Sequence, residues 1–255
     1  SRLSKINHIF ISGLYGDHFY GLVGLISSFS LLQREKGLHV YGPKGIKEII
    51  LLQLKYSKAW TSYPLYFHEL NSSQPQRILE NSRITVDTIP LDHRVYTNGF
   101  LFKEQPADRK LLIEVAEKYH IDKVYYRGIK KGKDAILEDG TLIPNAELTQ
   151  DPPAAKSYAF CSDTAYYPEI IPQLIGCSVL YHEATFLQEH AEIAAATKHS
   201  TAREAAQIAL EAEVGCLILG HFSTRYDNFD AFRQEAAEIF PAVELAEDGR
   251  IFDFQ

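Results

Sequence analysis

The sequence predicts an α/β fold, and three observations carry that expectation. Short apolar runs recur along the chain, segments of helical periodicity separate them, and Asp and His repeatedly stand just behind the runs. Strand patterns alternating with helix patterns predict layers of sheet and helix around a shared core.

In chain order, residues 7–12 (NHIFIS) read as a buried strand and 20–37 as a helix closed by Gly37. Residues 38–43 (LHVYGP) form a strand ended by Pro43, and 44–57 place Ile46, Ile49, Ile50 and Leu54 on one helical face. Strands are expected at 65–70 (LYFHEL), at 83–93 (RITVDTIPLDH) and at 99–104 (GFLFKE). From Gln105 to Pro153 the pattern changes to a charged helix over 108–119, the Lys- and Tyr-rich KVYYRGIKKGK, and a turn at EDGT. That segment reads as an inserted arm and not as core. Regularity resumes with strand 157–163 (SYAFCSD), a short helix near YPEIIPQL, strand 178–185 (SVLYHEAT), and helices around 186–197 and 201–214. Strand 216–223 (CLILGHFS), a helix over 229–239, and the short strands VELAE and RIFDF close the chain. There is no internal repeat and no low-complexity tract.

A chain of 255 residues, 45% hydrophobic and 23% charged, can bury a substantial core. No apolar run approaches the ~20 residues a membrane span needs; no secretory leader is visible, the start at Ser1 leaves a removed one open, and a cytoplasmic protein is expected. The chain opens at Ser1 and contains no Met, which suggests that native residues precede it. Cys161, Cys177 and Cys216 form neither a disulfide framework nor a Cys-x-x-Cys pattern and read as reduced packing residues.

The net charge of −7 speaks against generic nucleic-acid binding, but its distribution is uneven. Between Lys103 and Lys133 nine Lys or Arg face five Asp or Glu. A basic island on an acidic protein is a candidate footprint for a phosphate backbone, and equally a solvated helix face.

The chemistry-bearing residues cluster at one place in each unit, just after an apolar strand. They are Asp17 and His18, Asp92 and His93, Asp163, His182 and Glu183, and His221. Singly, each has a plainer reading: a helix N-cap beside a surface His, a hydrogen-bonded loop histidine, or a polar strand end. Together they predict a common rim, because strand C-terminal ends of layered α/β folds converge. Oxygen and nitrogen donors meeting there suit zinc or a similar divalent ion.

At these residues the chain resembles a known family. The order GDH…LDHR…CSDT…HEAT…KHST…GHFSTRY is similar to the metallo-β-lactamase fold and, within it, to ribonuclease Z, the tRNA 3′-processing endonuclease. HEATF (182–186), KHST (198–201) and GHFSTRY (220–226) carry the narrower resemblance. It implies a four-layer αββα sandwich over 1–255 as a single domain, with an inserted basic arm at 103–152. It also implies N-terminal strands and a glycine-rich turn that this chain lacks.

By resemblance, the first metal motif is His-x-His-x-Asp-His, and here it reads Gly13-Leu14-Tyr15-Gly16-Asp17-His18. The second metal site, Asp17, His18, bridging Asp163 and His221, is complete. The first keeps His93 and Asp163 but loses two imidazoles. Glycine offers no ligand, and tyrosine only a phenolate whose ordinary pKa is about 10. The resemblance implies two zinc ions about 3.5–4 Å apart clamping a phosphodiester. It implies Asp17 as general base, His199 as the acid for the leaving 3′-oxygen, and Glu183 as the group orienting it. Taken alone, His199 reads as a surface residue beside Ser200, a good N-cap. Ser223 and Arg225 would hold phosphate oxygens, and Lys123, Arg127, Lys130, Lys131 and Lys133 of the arm would grip RNA. The arm's familiar Gly-Pro element is not evident. Precursor tRNA as substrate and a homodimer as working form follow from the same resemblance.

Two outcomes are expected side by side. One is an active endoribonuclease, and the other an impaired homologue that keeps fold, one metal and RNA binding. A third, a small-molecule phosphodiesterase, is opposed by the basic arm and the HEAT/HST pair.

Overall fold

A computed structural model describes residues 5–253. The chain divides into two compact units. The first comprises the chain up to Asn81, Thr85–Phe102 and the chain from Ser157, and the second Ser82–Ile84 with Lys103–Lys156.

The first unit opens with β1 (His8–Phe10), α1 (Gly16–Phe19), α2 (Gly21–Leu31), β2 (Leu38–Pro43), α3 (Ile46–Tyr56) and β3 (Leu65–Leu70). These strands form a three-stranded parallel sheet. Parallel neighbours need crossover connections, which α2 and α3 supply. Ile26 and Phe29 of α2 and Ile46, Ile50 and Leu54 of α3 bury against Leu38 and Val40. Helix α2 stops well short of Gly37. Gln33 takes the left-handed conformation (φ 56°), and the Arg34 amide returns to the Phe29 carbonyl at 3.0 Å. This is a Schellman closure with glutamine in the position glycine usually holds. One sheet face carries three imidazoles. The His8 ring stacks on that of His39 at 5.0 Å, and His39 Nδ1 lies 2.9 Å from His68 Nε2.

Strands β4 (Arg77–Glu80), β5 (Ile84–Pro90) and β6 (Asn98–Glu104) enter the larger sheet. The second unit follows, with β7 (Lys110–Leu111), α4 (Ile113–Lys118), α5 (Tyr126–Lys130), β8 (Ala135–Ile136), β9 (Leu142–Ile143), α6 (Asn145–Leu148) and β10 (Thr149–Gln150). The helix expected over 108–119 is thus confined to Ile113–Lys118, because Lys110 and Leu111 pair antiparallel with Gln150 and Thr149. The unit has a small core of its own, with Leu111, Ala116, Ile129, Ile143 and Leu148 buried together. Asn145 pins it by donating to the carbonyls of Ile129 and Lys133, each at 2.7 Å. Its charge is balanced. Over 103–156, ten Lys or Arg meet ten Asp or Glu, so the basic stretch is offset by the acids that follow it.

The first unit resumes with β11 (Ser157–Cys161), α7 (Ile171–Leu174), β12 (Val179–Glu183), α8 (Ala191–Thr197), α9 (Ala202–Glu211), β13 (Cys216–Gly220), α10 (Asp230–Ala237) and β14 (Val243–Leu245). The seven-stranded sheet has the order β14-β13-β12-β11-β6-β5-β4, and β11 to β14 run parallel. Helix α9 begins in a capping box between Thr201 and Glu204 and buries Ala202, Ala205, Ala206 and Ala209. Such small side chains allow the helix to lie close to the sheet. Phe10 of the smaller sheet meets Phe100 and Phe102 of the larger one, so the two sheets pack face to face between helical layers. The strand expected at RIFDF does not form over residues 250–253, and Phe254 lies outside the described residues. All three cysteines are free.

Candidate metal centre

Parallel register explains why distant residues meet. Cys161 pairs with His182, and Glu183 with Gly220, so β11, β12 and β13 end along one edge. Asp163, Glu183 and His221 therefore emerge side by side. Asp163 is 4% exposed and forms the hub. Its carboxylate lies 3.5 Å from His18 Nε2, 3.9 Å from His93 Nε2 and 3.3 Å from His221 Nε2. Burial works to raise the pKa of this acid. The hydrogen bond from His18, the charge of His221 and the Ser162 hydroxyl at 2.7 Å outweigh burial and hold it below the usual carboxylate range.

The rings are held by their far nitrogens. His93 Nδ1 donates to the Lys198 carbonyl at 2.7 Å, which leaves the Nε2 lone pair facing Asp163. Burial lowers the pKa of this ring. The Thr185 hydroxyl donates to Glu183 Oε2 at 2.5 Å, so its oxygen is free to accept from His221 Nδ1 at 2.8 Å. Ser12 Oγ stands 2.9 Å from His18 Nδ1. Second partners of this kind fix tautomer and ring plane in metal-binding histidines. The His18 pKa is raised, chiefly by its hydrogen bond to Asp163. His221 sits at φ 61°, a left-handed backbone that is uncommon outside glycine and is reached chiefly by Asn, Asp and His.

Beside the hub, Glu183 is fully buried and its oxygens accept from the amides of Thr164, Thr185 and Ser200 as well as the Thr185 hydroxyl. His199 Nδ1 donates to the same carboxylate at 2.7 Å. Burial works to lower the His199 pKa, but the hydrogen bond to Glu183 outweighs it and the pKa is raised. The His199 ring stacks on His221 at 5.3 Å, with Nε2 as its remaining functional nitrogen.

Two groups of side chains lie close enough to share an ion: Asp17, His18 and His221, and Asp163, Glu183, His199 and His221. In the second group Glu183 is saturated with hydrogen bonds, so Asp163 and His221 are its better donors. Asp17 is the exposed member, with its carboxylate 3.8 Å from His18 Nε2.

With this geometry in view, similarity to known proteins becomes informative. Ribonuclease Z of Bacteroides thetaiotaomicron is 43% identical to this chain over 247 residues, which cover 97% of the chain and 78% of that relative. The chain belongs to the ribonuclease Z family. No protein-family model matches it. Among solved structures, the short form of human tRNase Z superposes with a TM-score of 0.66 at 22% identity, covering 99% of this chain and 81% of that one. The metallo-β-lactamase fold protein YhfI of Bacillus subtilis gives 0.62 at 17% identity, covering 97% and 78%. The fold is thus the metallo-β-lactamase fold.

In this ribonuclease Z relative, Asp17, His18 and His221 lie within reach of one another and Asp163 adjoins His18, His93 and His221, while Gly13 and Tyr15 stand where the resemblance implies imidazoles. A Cβ added at Gly13 would meet nothing closer than 3.5 Å, with His18 Nδ1 and Thr97 Oγ1 as neighbours. Tyr15 turns its ring edgewise to His93 at 5.5 Å and His18 at 6.0 Å. Asp17, His18 and His221 bring oxygen and nitrogen donors within reach of one divalent ion, and Asp163 reaches His18 and His221 from beside them. On the other side, only His93 and the shared Asp163 remain among the expected ligands.

His182, a candidate strand-end histidine, is fully buried, donates from Nδ1 to the Glu183 carbonyl at 2.7 Å and stands apart from the cluster. Arg225 lays its guanidinium over the Phe186 ring at 5.4 Å, and Phe186 lies 6.4 Å from the His199 ring. The Ser223 amide donates to the Thr185 carbonyl at 3.0 Å. Asp92, a candidate of the rim, is paired with Lys198 at 2.7 Å, while Thr185, Ser12 and Lys198 are residues that the sequence does not mark as part of the site. The Thr of HEAT was in view, but a hydroxyl between two imidazoles gives no signal in sequence.

Proposed function

We propose that this chain is a metal-dependent endoribonuclease that removes the 3′ trailer of precursor tRNA. The observation that carries the reading is the gathering of Asp163, Glu183, His199 and His221 within reach of one another, with Asp17 and His18 grouped on His221 and the His199 ring bonded to the buried Glu183 carboxylate. Zinc is the ion proposed, since mixed imidazole and carboxylate donors suit it. A bound divalent ion would polarise a phosphoryl oxygen and lower the pKa of a water toward neutrality.

The chain's own residues supply the rest. Asp17, exposed at the rim, takes the proton of the attacking water. His199 gives the proton on Nε2 to the leaving 3′-oxygen, while Glu183 keeps Nδ1 protonated and the ring aimed. Arg225 and Ser223 hold the phosphate oxygens. The products are tRNA ending in a 3′-hydroxyl and a trailer with a 5′-phosphate.

The unit at 103–156 is proposed as the arm that grips RNA. In support, Lys123, Arg127, Lys130, Lys131 and Lys133 are all exposed. Arg127, Lys131 and Lys133 line a cleft of about 1210 Å³ together with Asp122, Asp134 and Glu138. Mixed charge suits docking by shape more than a uniform electrostatic grip. A homodimer and a cytoplasmic location complete the reading. Among the described residues no helix is long and apolar enough to cross a membrane.

Gly13 and Tyr15 favour a second form of the same reading, in which one ion is held and turnover is impaired. Metal content per chain, measured with cleavage of a precursor tRNA, separates the two. Cleavage to the stated products supports the enzyme, one ion without cleavage supports the impaired homologue, and no ion at all removes both.

A further inference from the structure

Next to the metal centre lies a cleft of about 400 Å³ that none of the chemistry above uses. Leu14, Pro43 and Leu70 line its apolar interior, the Tyr15 and Tyr96 rings also border it, and Lys44 and Asn71 stand exposed at its edge. Its size falls at the lower end of sites for small ligands, about 300–1,000 Å³. Tyr96 is held in place because its hydroxyl donates to the Ser72 carbonyl at 3.1 Å and accepts from Asn98 Nδ2 at 2.8 Å. Tyr15 belongs to both places, bordering the cleft and facing His93 and His18 edgewise.

The geometry points to a nucleobase subsite: the cleft receives the base of a nucleotide flanking the scissile phosphate, with Lys44 meeting a neighbouring phosphate. Three features select this occupant. Aromatic rings bordering an apolar slot offer stacking, which binds bases of any sequence. Lys44 supplies the one charge of the lining, and it complements an anionic backbone. The shared Tyr15 makes the slot continuous with the place where a phosphodiester is cut. The tyrosine that stands in place of a family imidazole therefore gains a role in substrate grip. This inference rests on the endoribonuclease reading of the centre.

The test compares 5′-adenylate with ribose 5-phosphate, which differ only by the base, titrated calorimetrically into the full chain with its metal content as purified. Adenylate is expected to bind about tenfold more tightly, the order that base stacking provides. Tyr15→Ala should bring the ratio close to one while ribose 5-phosphate still binds, which shows that the variant is folded. Lys44→Ala should weaken both ligands alike and preserve the ratio. Equal binding of the two ligands by the unaltered chain, or an undiminished ratio in Tyr15→Ala, overturns the subsite. A chain that prefers adenylate tenfold yet leaves precursor tRNA uncut supports the subsite and counts against the endoribonuclease. Cleavage with a ratio of one overturns the subsite alone.

Discussion

Sharing Asp163, one side of the expected centre has Asp17, His18 and His221; the other has His93, with Gly13 and Tyr15 where the resemblance implies imidazoles. Both sides hang on the same strand ends, and both keep the partners that orient their rings, Thr185 and Ser12 on one and the Lys198 carbonyl on the other. The loss is confined to two side chains within one turn. Because strand register brings the donors together, a change in the number of bound ions is expected to leave the fold in place.

The comparison breaks most decisively at the hub and the complete side. Asp163→Ala and His221→Ala are each expected to abolish tight metal binding, read as metal per chain after dialysis against a weak chelator. Retention of a full equivalent in both would mean the ion is held elsewhere. Next in size, His199→Ala should slow cleavage by about 10²–10⁴-fold, the usual worth of a positioned acid, with metal content unchanged. A drop in metal would make His199 a ligand instead.

Thr185→Val tests the orienting shell. Removing the acceptor of His221 Nδ1–H should weaken metal binding by about 10–100-fold, measured by competition with a chromophoric chelator. The incomplete side is sharpened by Gly13→His combined with Tyr15→His, which should raise the content from one ion to two. A Cβ at residue 13 meets nothing closer than 3.5 Å, and the backbone there is not left-handed. An unchanged stoichiometry would show that more than two side chains have been lost there.

The smallest effect lies away from the rim. Burial first, then neighbouring imidazoles, lower the pKa of His8 and His68. A histidine whose folded pKa is lowered favours the folded state above its unfolded pKa of about 6.5 and loses that contribution as pH falls through the folded value. This pair should therefore lower the melting temperature below about pH 6.5, against the raised His18 and His199, and His68→Gln should remove part of that loss relative to the unaltered chain. An equal slope in the variant would place the sensitive groups elsewhere.

Much of this was legible from residue order. Strands 38–43 and 65–70 stand where apolar content and Pro43 placed them. Helix α2 was expected to run to Gly37, since nothing about Gln33 announces a left-handed turn. The two-residue strands of the second unit were invisible because they exist only through pairing, Leu111 with Thr149 and Ala135 with Ile143. The same division holds at the centre. Asp and His behind apolar runs stood out, whereas Ser12 and Thr185 gain meaning only from what folding brings within hydrogen-bonding reach.

The donors of the complete side are spread from Asp17 to His221, and the last of them follows β13, late in the chain. During synthesis the early ligands leave the ribosome long before their partner exists, so the nascent polypeptide cannot capture the cation through this set. On the proposed reading metallation is a late event that marks a finished domain, and a truncated product ending ahead of Cys216 would lack the His221 donor.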